Sequence, residues 1–363
     1  MSIQEQFSEQ TDTTARDHPR LAPSTMKLIR RLGLTYITTE ALTIRRRRRG
    51  RGFSYVSADG HMLSAREAKR LAALAVPPAY QDVLYASDPT AHIQAIGRDA
   101  AGRLQYRYHP EWQRVRETRK AQRLARLAEA LPRIRRSIGQ HLATGEPTRM
   151  FALSAIIELV ASSAIRPGGE QYARLRGTRG AATLLKSNVA AYGETVKLRF
   201  RAKGGKQIEK EFHAPKLAAA LGVLHSLPGR RLFQYRADTG DIRATSAQDV
   251  NRFLREIAQV DISLKDFRTL LASVSVLESL AAAEPATSQT ARRRQVLDAI
   301  RKAAAELGNT PAICRKSYVH ETVVNAFEEG VLERFADTLR ACRSDARRAG
   351  ILAKITAQAQ KAA

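Results

Sequence analysis

Tyr318 is the tyrosine whose neighbours favour chemistry at a phosphate. It follows a helical segment that ends at Gly308 and a new turn that begins at Thr310 and Pro311. Arg315 and Lys316 lie just before the phenol, and such cations favour a nearby phosphate and, if they are close to the phenol, its ionised form. Five other tyrosines lie in mixed apolar segments, where packing is the ordinary role: Tyr36, Tyr80, Tyr85, Tyr192 and Tyr235.

The sequence lacks the motifs of ATP-driven and metal-dependent enzymes. It contains no GxxxxGK[ST] loop, no HExxH, no GxSxG and no carboxylate cluster of the kind that holds Mg²⁺ in nucleases. Phosphoryl transfer without a metal needs a nucleophile, positive charge on the non-bridging oxygens and a proton donor for the leaving oxygen. Tyrosine, arginine and lysine can supply these roles, so we expect an enzyme without ATP, metal or other cofactor.

The charge of the chain indicates an anionic partner. The 363 residues include 61 Lys and Arg against 35 Asp and Glu, a net charge of +26, which nucleic acid would screen. An anionic membrane is the competing partner, but no apolar run approaches the roughly 18 to 20 residues of a spanning helix, and no secretory signal opens the chain. We expect a cytoplasmic, nucleoid-associated protein that binds no membrane. Cys314 and Cys342 have no CxxC motif and no nearby histidine, so no zinc site is predicted.

The N-terminal third predicts a small, mostly antiparallel domain. Residues 1–26 are polar and aperiodic, which is typical of a flexible tail. Residues 27–115 are mostly strand-like, with an Asp59-Gly60 turn and a capping box at Ser64–Glu67 that opens a short helix. The predicted strands are Arg49–Val56, His92–Gly97 and Arg103–Tyr108. A tract of five arginines, Arg45–Arg49, is typical of a solvated face that attracts phosphate.

Residues 116–363 predict a larger, mainly helical catalytic domain, so the fold class is α+β. Two alternating segments, Thr195–Phe200 and Gln207–Phe212, enclose a basic, glycine-rich tip that carries Lys203, which predicts a β-hairpin. Five segments have helical periodicity: Glu111–Leu131, Met150–Ala164, Ala247–Gln259, Asp266–Ala283 and Ala291–Leu307.

Five separated segments resemble, in the same order, those of type IB DNA topoisomerases of the compact bacterial and poxvirus-like branch. They are Gly97–His109 (preceded by Val76–Tyr80), Ala164–Ala173, Phe200–Lys206, Lys265–Thr269 and Gly308–Tyr318. The likeness runs from about residue 30 to about residue 330. One such segment alone would be a weak signal, whereas five in order make a strong one. The resemblance implies two domains that close around DNA as a clamp.

The resemblance also implies a mechanism. Tyr318 would attack a backbone phosphate, form a 3′-phosphotyrosyl bond and free a 5′-hydroxyl that later attacks back, so that supercoiled DNA is relaxed without ATP. Arg166 and Arg268 would stabilise the charged transition state, and Lys203 would protonate the leaving oxygen. Asn309 lies nine residues before the tyrosine, where many relatives carry histidine. Its amide can donate the same hydrogen bond without a charge.

The same resemblance implies residues that contact double-stranded DNA. Gln105, Tyr106 and Tyr108 alternate on a strand, with Gln105 expected at a base edge and the tyrosine hydroxyls on phosphates. Cross-strand packing with a solvated polar face is the alternative from the residues alone. Further phosphate contacts are expected from Arg98, Arg103 and Tyr172. One complete site per chain makes a monomer sufficient.

Two rival functions use similar residues. Tyrosine recombinases have a comparable Arg, Lys, Arg, Tyr set but typically carry histidine three residues before the second arginine, where this chain has Lys265. A non-catalytic DNA-binding protein would have lost part of the set, and all of it is present. Two departures from the family pattern bear on substrate fit: Pro167 after the first arginine, and Leu270-Leu271 where relatives often have an aromatic residue.

Overall fold

A computed structural model describes residue 21, residues 23–342 and residues 344–362. The chain divides into two compact units, Met1–Arg119 and Lys120–Ala363, so the division lies slightly beyond the predicted boundary at residue 115. Most of the predicted tail, residues 1–26, lies outside the described residues. Its last residues belong to helix α1 (Pro23–Arg31), in which Thr25 and Ile29 are buried. Residues 23–26, which the polar composition assigns to the tail, therefore form the first turn of a helix.

The N-terminal unit is built on a five-stranded sheet of order β2-β1-β3-β4-β5. Every neighbouring pair is antiparallel, as predicted. After α1, its elements are β1 (Leu42–Arg49), β2 (Gly52–Val56), α2 (Ala65–Ala73), β3 (Gln81–Ala86), β4 (Ile93–Arg98) and β5 (Leu104–Tyr108). Ser64 caps α2 as predicted, since its side chain accepts a hydrogen bond from the Glu67 amide at 3.3 Å, and the Glu67 carboxylate accepts from the Ser64 hydroxyl at 3.4 Å.

One face of this sheet packs under α2. Leu71 of α2 is fully buried against Ile44, Tyr55 and Tyr85. The arginine tract extends β1, which the sequence did not predict because five consecutive arginines hide the alternation that starts at Leu42 and Ile44. The strand forms because both neighbouring strands supply ladder hydrogen bonds.

The second unit is mainly helical, as predicted. Its helices are the C-terminal part of α3 (Trp112–Ala143), α4 (Arg149–Ser163), α5 (Glu170–Arg176), α6 (Pro215–Ser226), α7 (Ala247–Ala258), α8 (Leu264–Ala282), α9 (Gln289–Leu307), α10 (Pro311–Ser317), α11 (Glu321–Glu328), α12 (Glu333–Arg340) and α13 (Asp345–Ala362). Its strands are β6 (Val189–Tyr192), β7 (Thr195–Arg201), β8 (Gln207–His213), β9 (Gln234–Arg236) and β10 (Ile242–Ala244). Antiparallel sheets β6-β7-β8 and β9-β10 complete it.

Helix α3 differs from its prediction because it continues through Pro132 instead of ending at Leu131. A proline inside a helix removes one hydrogen bond of the ladder. Leu131, Ile134 and Ile138 are buried at helical spacing on either side of it, so packing against the core outweighs that loss.

The core of the second unit surrounds α4, which is apolar on all sides. The hairpin β7-β8 contributes Val196, Leu198 and Phe200 from the inner face of β7. Among the described residues no helix is both long and apolar enough to cross a membrane.

Candidate active site

Arg166 and Asn309 each follow, by two residues and one residue respectively, a helix C-cap in the left-handed conformation. The C-cap of α4 is Ala164 (φ 55°), and the C-cap of α9 is Gly308 (φ 63°). This conformation strains a residue with a side chain and suits glycine, so Ala164 is a costly position that surrounding contacts must hold. Both turns direct a polar residue out of a helix end toward one region of the unit.

Two cations hold these helix ends together. Arg268 of α8 donates from Nη1 to the Ala164 carbonyl and from Nη2 to the Leu307 carbonyl, the latter at 3.2 Å. Lys210 of β8 donates from Nζ to the carbonyls of the preceding residues, Ser163 at 2.6 Å and Glu306. The last carbonyls of a helix have no partner within the helix and lie at its negative end. Both cations therefore cap two helices at once.

The Arg166 side chain contacts Asn309 directly. Arg166 Nη2 donates to Asn309 Oδ1, and because arginine only donates, this contact fixes which amide atom is the oxygen. Asn309 Nδ2 is buried and has no hydrogen-bond partner among the described residues. An unpaired buried donor costs free energy, so an acceptor that enters here would be bound favourably.

Close backbone packing fixes the loop that carries Arg166. The Ala181 amide donates to the Arg166 carbonyl at 2.8 Å, and the Ala182 amide to the Pro167 carbonyl at 2.9 Å. A Cβ on Gly180 would lie 2.5 Å from the Arg166 carbonyl oxygen. Sterics therefore require glycine at position 180, and this close approach fixes the position of the Arg166 backbone.

Tyr318 closes helix α10. The helix opens with Thr310 as its N-cap and Pro311 in its first turn, as predicted, and ends at Tyr318, whose amide donates to the Cys314 carbonyl at 2.9 Å. Ser273 of α8 is fully buried and holds the backbone on the other side. Its hydroxyl donates to the Tyr318 carbonyl at 3.1 Å and accepts from the His320 amide at 3.2 Å.

Arg268 lies against the Tyr318 ring. Its guanidinium carbon is 4.8 Å from the ring centroid, and Arg268 and Tyr318 are 1% and 8% exposed. Burial alone raises the pKa of the Tyr318 phenol, but the charge and hydrogen bond of Arg268, with the charges of Arg166 and Lys265, lower the pKa below its ordinary value. The phenol is therefore easier to ionise than a free tyrosine.

These cations are not the ones adjacent in sequence. Arg315 and Lys316 lie on the exposed side of α10, whereas the charges that lower the pKa of Tyr318 come from α8 and from the loop after α4. The main charges on the phenol therefore come from residues that are far away in the sequence. For Lys316 helical geometry gives a reason, since residues two positions apart point to different sides of a helix.

Lys203 lies apart from this cluster, at the tip of the β7-β8 hairpin. It is exposed and begins the short turn Lys203–Gly205, in which Gly204 has a φ of 76°. Within the described part of the chain nothing forms a hydrogen bond or ion pair with its ammonium. The structure thus brings Arg166, Arg268, Asn309 and Tyr318 together. Lys203 lies at the tip of the hairpin, whose strand β8 bonds the ends of α4 and α9 through Lys210.

In the N-terminal unit, the predicted DNA contacts at the β4-β5 turn are organised by Asp99. Its carboxylate accepts from Arg103 Nε at 2.8 Å and from Gln105 Nε2 at 2.9 Å. The hydrogen bond from Arg103 is the main reason that the pKa of Asp99 falls to about 2. Arg98 donates to the Gly102 carbonyl at 3.0 Å. To contact a base edge with its amide group, Gln105 would have to break its hydrogen bond to Asp99.

The three predicted tyrosine contacts are exposed. Tyr106 and Tyr108 are 39% and 40% exposed, and their rings stack at 5.9 Å between centroids. Tyr108 also stacks on Trp112 at 6.1 Å, which fixes its ring. Tyr172 on α5 is exposed, and the Arg176 guanidinium lies 5.9 Å from its ring centroid.

Several site residues were missed by sequence reasoning. Ser273, Lys210 and Gly180 act through contacts with residues far away in the chain, so no local pattern marks them. Lys265 was singled out only to exclude a rival, and its charge acts on Tyr318. In the parts of the chain that the structure describes, no group of three or more His, Cys, Asp or Glu could hold a metal ion.

Comparisons with known proteins agree on the family. The family described as eukaryotic DNA topoisomerase I, catalytic core, matches residues 109–345, more than half of the chain. The family described as bacterial DNA topoisomerase IB, N-terminal domain, matches residues 52–99. DNA topoisomerase 1B of Acanthamoeba polyphaga mimivirus is 27% identical over 293 residues, which are 78% of this chain and 87% of the viral protein. The chain therefore belongs to the type IB DNA topoisomerases, in their bacterial and viral branch, and is a DNA topoisomerase.

Proposed function

We propose that Tyr318 is the nucleophile of this topoisomerase. Its phenolate oxygen attacks a backbone phosphorus, forms a 3′-phosphotyrosyl ester and breaks the bond to the 5′-oxygen, which leaves as a hydroxyl. The phenolic proton goes to water. The 5′-hydroxyl then attacks the phosphotyrosyl ester, which restores the strand and the free tyrosine. One phosphodiester replaces another at each step, so no ATP is needed.

The contact between Arg268 and Tyr318 is the observation that carries this proposal. A guanidinium 4.8 Å from the ring centroid stabilises the phenolate, and cations close to a phenol lower its pKa. A perturbed pKa with a specific charge partner is typical of a functional group.

Arg166 and Asn309 stabilise the transition state in this proposal. Arg166 is half-buried and uses one Nη atom on Asn309, which leaves other guanidinium donors for the non-bridging oxygens. The unpaired Nδ2 of Asn309 supplies a further donor where relatives carry histidine. Fixed donors that meet developing charge are among the largest sources of rate acceleration in enzymes.

Lys203 is the general acid that protonates the leaving 5′-oxygen. Its exposed position at a glycine-containing tip allows the ammonium to approach a bound strand. An ammonium that reaches the bound phosphate can donate its proton to the leaving 5′-oxygen. Replacement of Lys203 by alanine therefore slows cleavage most for a substrate with a poor leaving oxygen, and a 5′-thio leaving group restores the rate.

Double-stranded DNA binds to both units in this proposal, which act as a clamp around the duplex. Tyr106, Tyr108, Arg98 and Arg103 contact phosphates, and Gln105 contacts a base edge. Tyr172 is a further phosphate contact. A hydroxyl-radical footprint that protects the full circumference of the duplex is the expected result, and protection of one face would refute the clamp.

The proposed catalytic residues all come from one unit of one chain, so a monomer is the active form. Sedimentation velocity at working concentrations is expected to give a single species of one chain. A fluorescent fusion is expected to follow the nucleoid in the cytoplasm, and a diffuse distribution would contradict that assignment.

The central experiment is plasmid relaxation in EDTA without ATP. We expect wild-type protein to relax supercoiled plasmid and to give a covalent protein–DNA adduct under a denaturing quench. Tyr318→Phe removes one hydroxyl, so it abolishes both results and retains salt-sensitive DNA binding. Tyr192→Phe, a matched change at an exposed tyrosine, leaves both intact. Relaxation by Tyr318→Phe would refute the proposal, and recombinant joints without relaxation would favour a recombinase.

A further inference from the structure

One cross-strand row of the N-terminal sheet joins the arginine tract to the proposed DNA-contacting tyrosines. The row consists of Arg45, Leu84, Ile96 and Tyr106, each directly opposite the next on β1, β3, β4 and β5. Directly opposite residues of antiparallel strands have side chains on the same face of the sheet. Arg45 therefore lies on the face that carries Tyr106.

Alternate residues of a strand share a face, so Arg47 and Arg49 extend this row along β1. We call Arg45, Arg47 and Arg49 the basic row. All three are exposed, and none forms a hydrogen bond or ion pair with any residue that the structure describes. Tyr108 shares the face with Tyr106 for the same reason.

The intervening arginine has a different role on the opposite face. Arg46 donates to the carbonyls of Val76 at 3.0 Å, Pro77 at 3.1 Å and Tyr80 at 2.6 Å, which ties β1 to the loop after α2. Arg107 of β5 likewise donates to the Ala75 carbonyl at 2.7 Å. One set of arginines therefore holds the fold, and the basic row has no such function.

The basic row concentrates charge that only an external anion can neutralise. The five strands contain seven arginines and a single acidic residue, Asp82, and Asp82 lies 3.7 Å from Arg98. Like charges on alternate positions of one strand, about 6.6 Å apart, repel each other. A polyanion whose charges repeat along its length fits such a row.

We infer that the basic row binds phosphates of the same duplex that Tyr106 and Tyr108 contact. With strands about 4.8 Å apart, Arg45 and Tyr106 are separated by three spacings, about 14 Å. The DNA-contacting surface of the N-terminal unit thus crosses the whole sheet instead of ending at the β4-β5 hairpin. This inference rests on the proposed binding of DNA by Tyr106 and Tyr108.

The test compares two triple variants that each remove three charges. Arg45→Gln, Arg47→Gln and Arg49→Gln remove the basic row. The matched control, Arg48→Gln, Arg66→Gln and Lys69→Gln, removes exposed cations from the opposite face of β1 and from α2, which covers that face. Dissociation constants for a short duplex are measured against salt concentration, in full-length protein with and without Tyr318→Phe.

Each phosphate contact contributes about 0.9 to the slope of log affinity against log salt. The basic-row variant is therefore expected to lose roughly 2 to 3 from the slope, and the control well under 1. Single-turnover cleavage at saturating DNA and low salt stays at the wild-type rate in the control variant. Equal slopes in the two variants, or an unchanged slope in the basic-row variant, would overturn the inference.

The two proposals can fail separately. Binding in the Tyr318→Phe background needs no chemistry, so it tests the basic row even if Tyr318 is not the nucleophile. An unchanged slope together with normal relaxation and a Tyr318 adduct would refute the basic row alone.

Discussion

Replacement of Arg268 by glutamine is expected to raise the pKa of Tyr318 and to slow DNA cleavage. The two groups are buried, with 4.8 Å between the guanidinium carbon and the ring centroid. At an effective dielectric constant of about 20, unit charges at that separation interact by about 3.5 kcal/mol. Burial, which raises the pKa of the phenol, persists in the variant.

The pKa is measured by NMR of protein labelled with ¹³C at the tyrosine ring, with the Tyr318 signal assigned by its absence in Tyr318→Phe. We expect a pKa below the ordinary value of 10.0 in the wild type and above it in Arg268→Gln. Single-turnover cleavage should fall by about 10²-fold or more, because a fixed donor is lost with the charge. The alkaline part of the cleavage profile should move to higher pH.

Two further variants separate charge from geometry. Arg315→Gln removes an exposed cation three residues before Tyr318 and should leave the pKa unchanged. Arg268→Lys keeps the charge, so it should retain a lowered pKa, but one ammonium cannot replace two Nη donors, and cleavage stays impaired. A pKa in Arg268→Gln at or below the wild-type value, or an equal rise in Arg315→Gln, would refute this account.

Three further substitutions test the contacts that position the site. Gly180→Ala places a Cβ 2.5 Å from the Arg166 carbonyl oxygen, so Arg166 must move and relaxation should fall by about 10²-fold. Ser273→Ala removes the hydrogen bonds of this hydroxyl to the Tyr318 carbonyl and the His320 amide, and should lower the free energy of unfolding by about 1 to 3 kcal/mol. Lys210→Met removes two carbonyl contacts and should lower both Tm and relaxation rate.

Matched variants distinguish these effects from general damage. Gly222→Ala lies in α6 with no atom within 4 Å of the new Cβ, so it should be neutral or slightly stabilising. Ser279→Ala loses only a local bond to the Ser275 carbonyl at 2.8 Å. Lys197→Met removes an exposed hairpin lysine paired with Glu211 at 3.5 Å. Losses in these three equal to those of the site variants would contradict the assigned roles.

The sequence predicted the elements with strong local patterns. The α+β class, the antiparallel first unit, the β7-β8 hairpin and the helical core are confirmed, because alternation and helical periodicity record which face each segment buries. The strand of the arginine tract and the passage of α3 through Pro132 were not predicted. In both cases the neighbouring strands or the core, which no local window contains, outweigh local propensity.

The candidate site depended on the resemblance more than on local patterns. Tyr318 could be singled out from its sequence neighbours Arg315 and Lys316, but the charges that lower the pKa of its phenol come from Arg268, Arg166 and Lys265. The sequence alone could not place Arg268 against the phenol, since the two come together through the packing of α8 against α9 and of α9 against α10. Nothing in the sequence around Ser273 indicates that its hydroxyl bonds the Tyr318 carbonyl and the His320 amide.

The two arginines have different surroundings. Arg268 is fully buried, both its Nη atoms donate to helix-end carbonyls, and its Nε has no partner among the described residues. Arg166 is half-buried and, among the side chains that the structure describes, donates to Asn309 alone. Arg268 therefore acts on the phenol mainly through charge and through its hold on the helix ends. Arg166 is better placed to donate to a phosphate, so Arg166→Lys should weaken transition-state binding without changing the pKa of Tyr318 as much as Arg268→Gln does.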